Sequence, residues 1–474
     1  MANSFQTRPR PPFMSGRAIV AKAVRGSVGD NRLLHALLGL AYLLAYWNIY
    51  TEYISVVWAY AGFLYRPMTV DQIAFAIAGV MAVAFALPTR LRGPSAICLW
   101  LLFAFVYVPT LAQTYMLGTR EGSSYTLALA ALTGGMIFAC WFCRGPGPAE
   151  VRRPFPLEVG LAQQLAYGFL AMAMLVSVLL LYYYRDILTL ADITNSGDVY
   201  ALRFAASDIT GGIVGYVRAY YSYVLGPGVV AFALASRRYR WFIFPGLACF
   251  LIAYMIDGSK ISMIIPMAMM ATYVLIRWAR SSVSMMTGAL GVLTLVCGTL
   301  VGSSSVFRFI ADLILLRSIA IPGQQFVLYY DLFRARGYTW WSNVKGISLF
   351  VPPPANYAAD PRWPSLGQIV GEDLAGFSSR NNYNASLFAG EGVAAAGPLG
   401  VVVIALVLAI YLRVLDRAAA GWPQVFVVLV TVPVGLALTN THLSTMLVSF
   451  GGAFWVALFI VLKRAPTPAR SRYR

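Results

Sequence analysis

The sequence predicts an all-α polytopic membrane protein, with about twelve transmembrane helices and one large semi-polar loop late in the chain. Three observations lead to this class. Of 474 residues, 59% are hydrophobic and 11% charged, where a soluble domain carries roughly a quarter charged. The apolar residues gather in runs of about 20, the length that crosses a bilayer as a helix. Cations cluster in every second connector between those runs. The 14% aromatic content suits interfacial belts. A net charge of +18 would suggest nucleic acid in a soluble protein. Here it sits in short connectors, where topology and anionic lipid headgroups account for it, and no nucleic-acid partner is expected.

Residues 1–32 form a basic, Pro-rich tail without an apolar stretch long enough for a signal peptide. The expected spans are 33–52, 71–89, 95–117, 124–143, 160–183, 212–235, 241–257, 261–278, 284–303, 398–415, 422–439 and 443–462. With the N-terminus inside, the cytoplasmic connectors carry Arg90 with Arg92, Arg144 with Arg152 and Arg153, and Arg237, Arg238 and Arg240. Arg277 with Arg280, Arg413 with Arg417, and the basic tail 463–474 continue the series. Outer connectors hold single cations such as Arg66 and Arg120. Both termini are therefore expected in the cytoplasm. Transmembrane helices 1–9 fill 33–303, with an outer segment at 184–211. A large outer loop covers 304–397, and transmembrane helices 10–12 fill 398–462.

Several chemistries find no support in the sequence. Cys98, Cys140, Cys143, Cys249 and Cys297 all lie in apolar runs. The Cys140-x-x-Cys143 pair lacks a second pair or a nearby His, so they are read as packing residues. There is no P-loop, no Gly-x-Ser-x-Gly elbow and no zinc-type His cluster. No span carries the dense charge relay of an ion-coupled pump. The two outer segments are unequal, which argues against a symmetric two-repeat transporter.

The outer arginines need an explanation, because the charge bias predicts few there. Arg203 stands in Tyr-Ala-Leu-Arg-Phe. Arg218 lies inside the sixth span, where an arginine costs a few kcal/mol unless paired or hydrated. It reads as a phosphate ligand, or as a partner of a carboxylate such as Asp208. Lys260 follows Asp257-Gly258-Ser259, and Asp257 is close enough in sequence to neutralise it. Arg308 and Arg317 occupy an amphipathic stretch that Pro322-Gly323 is expected to end. A second short amphipathic helix, 324–336, follows, with Arg334 and Arg336 facing solvent. Arg380, Asn381, Tyr383 and Asn384 offer donors and acceptors suited to sugar hydroxyls. Trp340, Trp341, Trp363 and Tyr383 suit sugar stacking, and an interfacial belt accounts equally for Trp340 and Trp341. Glu391, Asp373 and His442 are the candidates for a general base, His442 also reading as a structural hydrogen-bonding residue.

Several of these pieces resemble, in order, the bacterial O-antigen polymerases, the Wzy-like oligosaccharide repeat-unit polymerases. They are Leu-Leu-Arg-Ser-Ile-Ala-Ile-Pro-Gly at 315–323, Tyr329 to Phe333, Pro361-Arg362-Trp363-Pro364, and Asn-Ala-Ser-Leu-Phe-Ala-Gly-Glu-Gly at 384–392 before Gly397-Pro398-Leu399-Gly400. Asp257-Gly258-Ser259-Lys260 resembles the family's Gly-Ser-Arg with Lys replacing Arg. The likeness covers roughly residues 195–455. Some members carry an Arg-x10-Gly motif. Arg203 to Gly215 and Arg380 to Gly392 are each one residue longer, so the glycines add little.

The resemblance implies a GT-C-like glycosyltransferase architecture in a bacterial inner membrane, with a periplasmic active face and no cofactor. The enzyme would move a growing glycan from its undecaprenyl-diphosphate carrier onto a new undecaprenyl-diphosphate-linked repeat unit. Its partners would be that donor and acceptor, membrane lipids, a chain-length regulator protein and a flippase. A departing lipid diphosphate develops negative charge, which suits the bidentate fork of arginine. Arg203, Arg218, Arg317, Arg380 and Lys260 are the expected ligands. Glu391 is the favoured base on the family pattern. The outer loops hold no Asp-x-Asp motif, so a metal-independent reaction is expected. Two rivals share parts of this reading. An O-antigen ligase would transfer to lipid A core, but such ligases usually rely on a loop histidine and 304–397 has none. A twelve-span lipid-oligosaccharide flippase would need charges in both halves, whereas the first five spans are nearly charge-free.

Overall fold

The computed structural model describes residues 31–117, 125–144, 159–192, 195–278, 282–376, 382–384 and 387–462. Among them the chain is all-helical, with one isolated bridge between Arg90 and Ser282. The helices in order are α1 (Arg32–Val57), α2 (Val70–Ala86), α3 (Pro94–Leu117), α4 (Thr126–Phe142), α5 (Val159–Tyr183) and α6 (Ser196–Ile209). There follow α7 (212–235), α8 (Arg237–Asp257), α9 (Ile261–Trp278), α10 (Val283–Leu300), α11 (305–336) and α12 (Leu366–Ala375). The last four are α13 (Leu387–Ala418), α14 (Gln424–Asn440), α15 (Leu443–Ser449) and α16 (Gly452–Val461).

Seven helices are long and apolar enough to cross a membrane, or eight if the bent pair α15–α16 is one span. This makes the protein a membrane-embedded helical bundle, with seven or eight of the twelve expected spans meeting that length and composition. A helix stands at every expected span, but α2, α4 and α14 are shorter, at 17 residues each. At 1.5 Å per residue such helices fall short of a hydrocarbon core of about 30 Å. The α15–α16 pair bends by 51° at Phe450-Gly451, where Gly451 takes φ +80°.

The core is apolar, and some of its polar groups bond between helices. Tyr42 Oη donates to the Ala104 carbonyl at 2.7 Å and Tyr46 Oη to Gln113 Oε1 at 2.8 Å, tying α1 to α3. All five cysteines are buried and free. Two connector contacts tie helices together: Arg144 donates to the Ala86 carbonyl at 2.9 Å, and Asp416 accepts from Ser95 Oγ at 2.5 Å.

The segment 304–397 differs from the expected loop with short amphipathic helices. Helix α11 runs unbroken from 305 to 336 through a nine-residue π turn, Asp312–Ala320. Pro322 does not end it. The π turn shifts the bonding so that Ile321 N–H reaches the Leu316 carbonyl, and Pro322 falls in the first turn of the following α-helical stretch. There its missing N–H and fixed φ are tolerated. Gly323 is needed for packing, since a Cβ there would stand 2.6 Å from Gln113 Oε1 of α3. Arg336 is a second correction. It does not face solvent but pairs with Asp360 at 2.7 Å and covers the Tyr357 ring at 4.9 Å.

Helix α13 is two arms. The backbone turns at Ala396 and Gly397 (φ +59°), so residues 387–395 fold back along the span that begins at Pro398. The arms touch through glycines, because a Cβ on Gly400 would overlap the Gly392 carbonyl. Loop residues Thr339 and Trp340 donate backbone N–H groups to Ala394 and Ala395 at 2.9 and 3.0 Å, fastening the short arm in place.

Candidate functional site

Three cations from separate segments lie within electrostatic reach of one another: Arg203 on α6, Lys260 in the α8–α9 turn, and Arg317 in the π turn of α11. The turn is built by Gly258, which ends α8 in the left-handed conformation (φ +60°). Asp257 Oδ1 accepts from Ser259 N at 2.8 Å and fixes the next residue. A Cβ on Gly258 would stand 3.1 Å from Val199 Cγ1, so glycine also lets α6 lie close to the turn. Val199 is one helical turn before Arg203, which sets Arg203 beside Lys260. The π turn widens α11 where it presents Arg317.

The charges feel one another. Burial, then Arg317 and Arg203, hold the Lys260 ammonium below the usual lysine range, with Asp312 opposing. Burial and then Arg203 likewise lower the Arg317 guanidinium, with Tyr200 and Tyr223 opposing. Arginine stays protonated through such shifts. All three cations are half-buried. Among the described residues none has a carboxylate within ion-pair distance. Asp312 is the nearby acid, but it accepts from Tyr53 Oη at 2.7 Å and Trp58 Nε1 at 3.1 Å. Rings lie under two of the cations, with Arg203 5.3 Å from the Tyr200 centroid and Lys260 5.7 Å from Phe309. Three gathered positive charges with only Asp312 nearby to offset them are costly, and an arriving polyanion relieves that cost.

Arg218 differs. It pairs with Asp257 at 3.6 Å, not with Asp208. That contact also corrects the expected neutralisation of Lys260, because Asp257 is turned to Arg218 and to the Ser259 backbone.

A second group lies where the short arm of α13 meets α15. Glu391 is 1% exposed. Its Oε1 accepts from Ser444 Oγ at 2.6 Å and its Oε2 from Ser444 N at 3.1 Å. His442, two residues earlier, is buried at the N-cap of α15, and its Nε2 has no hydrogen-bond partner. Burial pushes the imidazole below its usual range, and Glu391 pulls it partly back. Tyr329 of α11 meets the His442 ring edge-on at 5.8 Å, and its Oη donates to the Tyr383 carbonyl at 3.2 Å. Tyr383 is held by its own N–H to the Gly367 carbonyl at 2.9 Å. Burial, then Tyr200, pushes the Tyr383 phenol up, so Tyr383 lies within electrostatic reach of the residue under Arg203. Tyr329 thus joins Tyr383 to His442.

Other expected site residues are placed apart or differently. Asp373 is exposed on α12. Trp363 is half-buried and stacked on Tyr357 at 5.4 Å, beside the Arg362–Glu372 ion pair, which gives it a role inside the loop. Asn384 is exposed and approaches Gly367, where a Cβ would collide with its side chain. Arg380 and Asn381 lie outside the described residues. Sequence reasoning missed Ser444, Tyr200 and Tyr223 altogether, and Tyr329 entered only as part of a motif. Ser444 carried a faint signal in Thr-His-Leu-Ser, a polar run opening an apolar helix. Among the described residues no group of three His, Cys, Asp or Glu side chains is placed to hold a metal ion.

Comparison with protein-family models, with curated proteins and with solved structures finds no match to this chain.

Proposed function

We propose that the protein is a membrane glycosyltransferase that polymerises undecaprenyl-diphosphate-linked oligosaccharide repeat units into O-antigen or a related surface polysaccharide. The observation that carries this reading is the gathering of Arg203, Lys260 and Arg317, none of which has an ion-pair partner among the described residues. The leaving group of such a transfer is a lipid diphosphate, and a preorganised cation cluster stabilises the charge that develops on it. On this reading Glu391 accepts the proton of the attacking sugar hydroxyl, and His442 stands beside it. Each oxygen of Glu391 accepts one bond from Ser444 and retains a lone pair for that proton. The reaction is metal-independent. Arg380, Asn381, Tyr383 and Asn384 belong to the sugar-binding side, and Arg218 is a weaker diphosphate contact because Asp257 offsets its charge.

The charge bias orients the site to the periplasmic side of a bacterial inner membrane, with both termini cytoplasmic. Twelve crossings satisfy that bias if the shorter helices and α7 also traverse the bilayer, in a GT-C-like arrangement.

Reconstitution of the full chain in proteoliposomes with a defined lipid-linked repeat unit tests the reading. Wild type is expected to give a polymer ladder, and Arg317→Ala to lose it at equal protein level. A normal ladder from Arg317→Ala would falsify the phosphate role. In cells, loss of the gene is expected to leave lipopolysaccharide with a single repeat unit. Core alone would identify a ligase, and transport without bond formation a flippase.

A further inference from the structure

The large loop carries a bare apolar tip. Between Gly337 and Ala359 the chain has no acidic residue, and Lys345 is its only cation. Past Lys345 the backbone turns at Gly346 (φ +99°) into a short helical turn, Ile347–Leu349. Backbone bonds hold that turn. Ser348 N–H donates to the Val344 carbonyl at 3.0 Å, and the Phe350 and Val351 N–H groups both donate to the Ile347 carbonyl at 2.9 Å. Pro352, Pro353 and Pro354 follow and stiffen the exit. This ordered turn leaves Leu349 81% and Phe350 86% exposed, with Ile347 exposed beside them. Water at three such side chains is unfavourable, and a cover for them is expected.

The place of the tip indicates the cover. Tyr183 Oη, at the end of the span α5, donates to the Ile209 carbonyl at 2.7 Å, so the junction of α6 and α7 stands level with that end. From there α7 runs back alongside α5, with Val217 and Val224 lining one apolar groove together with Val176 and Met172. Tyr216 lies in the second turn of α7, already below the end of the span. Lys345 Nζ donates to Tyr216 Oη at 3.4 Å. That contact brings the tip down to the rim of the bundle, where lipid headgroups begin. Trp340, at the root of the tip, is 55% exposed, and Trp, Tyr and Lys are the residues that suit this level.

We propose that residues 345–350 are a membrane anchor, with Ile347, Leu349 and Phe350 entering the lipid leaflet on this side of the bundle and Lys345 meeting anionic headgroups. An acid-free apolar turn with one cation suits a lipid surface. The anchor does not depend on what the chain catalyses. It does reach the buried acid, because Thr339 and Trp340 fasten onto Ala394 and Ala395, one helical turn past Glu391. A tip held in the bilayer steadies the short arm of α13.

The test uses the full chain in nanodiscs of phosphatidylcholine and phosphatidylglycerol. A phosphatidylcholine with a photoactivatable group near the top of its acyl chain is expected to label wild type within 345–351 as well as along the spans. Leu349→Asp combined with Phe350→Asp is expected to lower labelling of that segment by about tenfold or more, with span labelling unchanged. All five native cysteines are buried, so Leu349→Cys can carry a single environment-sensitive fluorophore. Its emission is expected to shift to the blue and to be quenched by lipids spin-labelled near the headgroup but not by aqueous iodide. More phosphatidylglycerol is expected to deepen that quenching, and Lys345→Gln to abolish the dependence. Quenching by iodide alone puts the tip in water and overturns the proposal. Protection from both quenchers puts it against protein, a second copy or another chain, and overturns it too. Absence of label within 345–351 of wild type does the same without any variant. None of these results bears on the polymer ladder, so the anchor and the transferase reading fail separately.

Discussion

Ser444 grips Glu391 twice, its hydroxyl 2.6 Å from one carboxylate oxygen and its backbone N–H 3.1 Å from the other. A carboxylate held at two points keeps one orientation. Ser444→Ala removes the side-chain bond, and a hydrogen bond to a charged group is worth about 1.5–3 kcal/mol. On the proposed function, polymerisation by Ser444→Ala is expected to fall about ten- to hundredfold in kcat with KM little changed. Ser444→Thr, which keeps a hydroxyl, is expected to recover most of it. A loss confined to KM would show that the serine serves binding instead.

The three unpaired cations and Arg218 separate in their expected effects. On the proposed function, Arg203→Ala, Lys260→Ala and Arg317→Ala would each remove a phosphate contact, so diphosphate affinity is expected to drop by about 1.5–3 kcal/mol per variant. Arg218→Ala mainly removes a partly exposed pair with Asp257, worth about 1 kcal/mol or less. Calorimetric titration with inorganic diphosphate should rank the four accordingly. Equal losses at Arg218 and Arg317 would make Arg218 a full ligand.

Protonation of His442 links stability to pH. Its folded-state pKa is lowered chiefly by burial, so below the ordinary histidine range the unfolded chain binds a proton that the folded chain refuses. Stability is therefore expected to be held at neutral pH and lost as pH falls through about 6.5. The thermal midpoint of the protein in detergent, followed from neutral to mildly acidic pH, should fall more steeply in wild type than in His442→Gln. Parallel slopes would remove His442 from this role.

Asp360 organises the large loop, taking Arg336 at 2.7 Å on one oxygen and the Arg362 N–H at 2.9 Å on the other. Its side chain is 3% exposed. Asp360→Ala leaves Arg336 without its partner and is expected to loosen residues 337–365 by about 1–3 kcal/mol. Faster limited proteolysis or amide exchange in that segment, with the bundle unchanged, would register it.

The two arms of α13 meet at Gly392 and Gly400, where no side chain fits. Gly400→Ala is expected to lower the thermal midpoint or the folded yield sharply. Gly134→Ala is the matched control, because a Cβ on Gly134 of α4 meets nothing within 4 Å. That variant is expected to be neutral or slightly stabilising. Similar behaviour of the two would discount the arm contact.

Much of the fold was legible because a bilayer imposes strong local rules. A helix stands at each apolar run the hydropathy marks, and the backbone breaks at Ala396-Gly397, just before the expected span 398–415. Span length was less legible. Hydropathy marks apolar residues, but α2, α4 and α14 end sooner than their apolar runs suggest. Pro322 misled for a related reason, since a breaker is judged against a regular α-helix and a π turn changes the bonding around it.

The sequence by itself determined an all-helical membrane bundle and nominated Arg203, Lys260, Arg317, Glu391 and His442, because charge and polarity are scarce in such a chain and stand out. Only the tertiary structure decided which of them work together. It paired Arg218 with Asp257, brought the other three cations within electrostatic reach of one another, and carried Ser444 onto Glu391. Those partners lie tens to hundreds of residues apart in the chain, and no local pattern encodes contacts that arise only when helices pack.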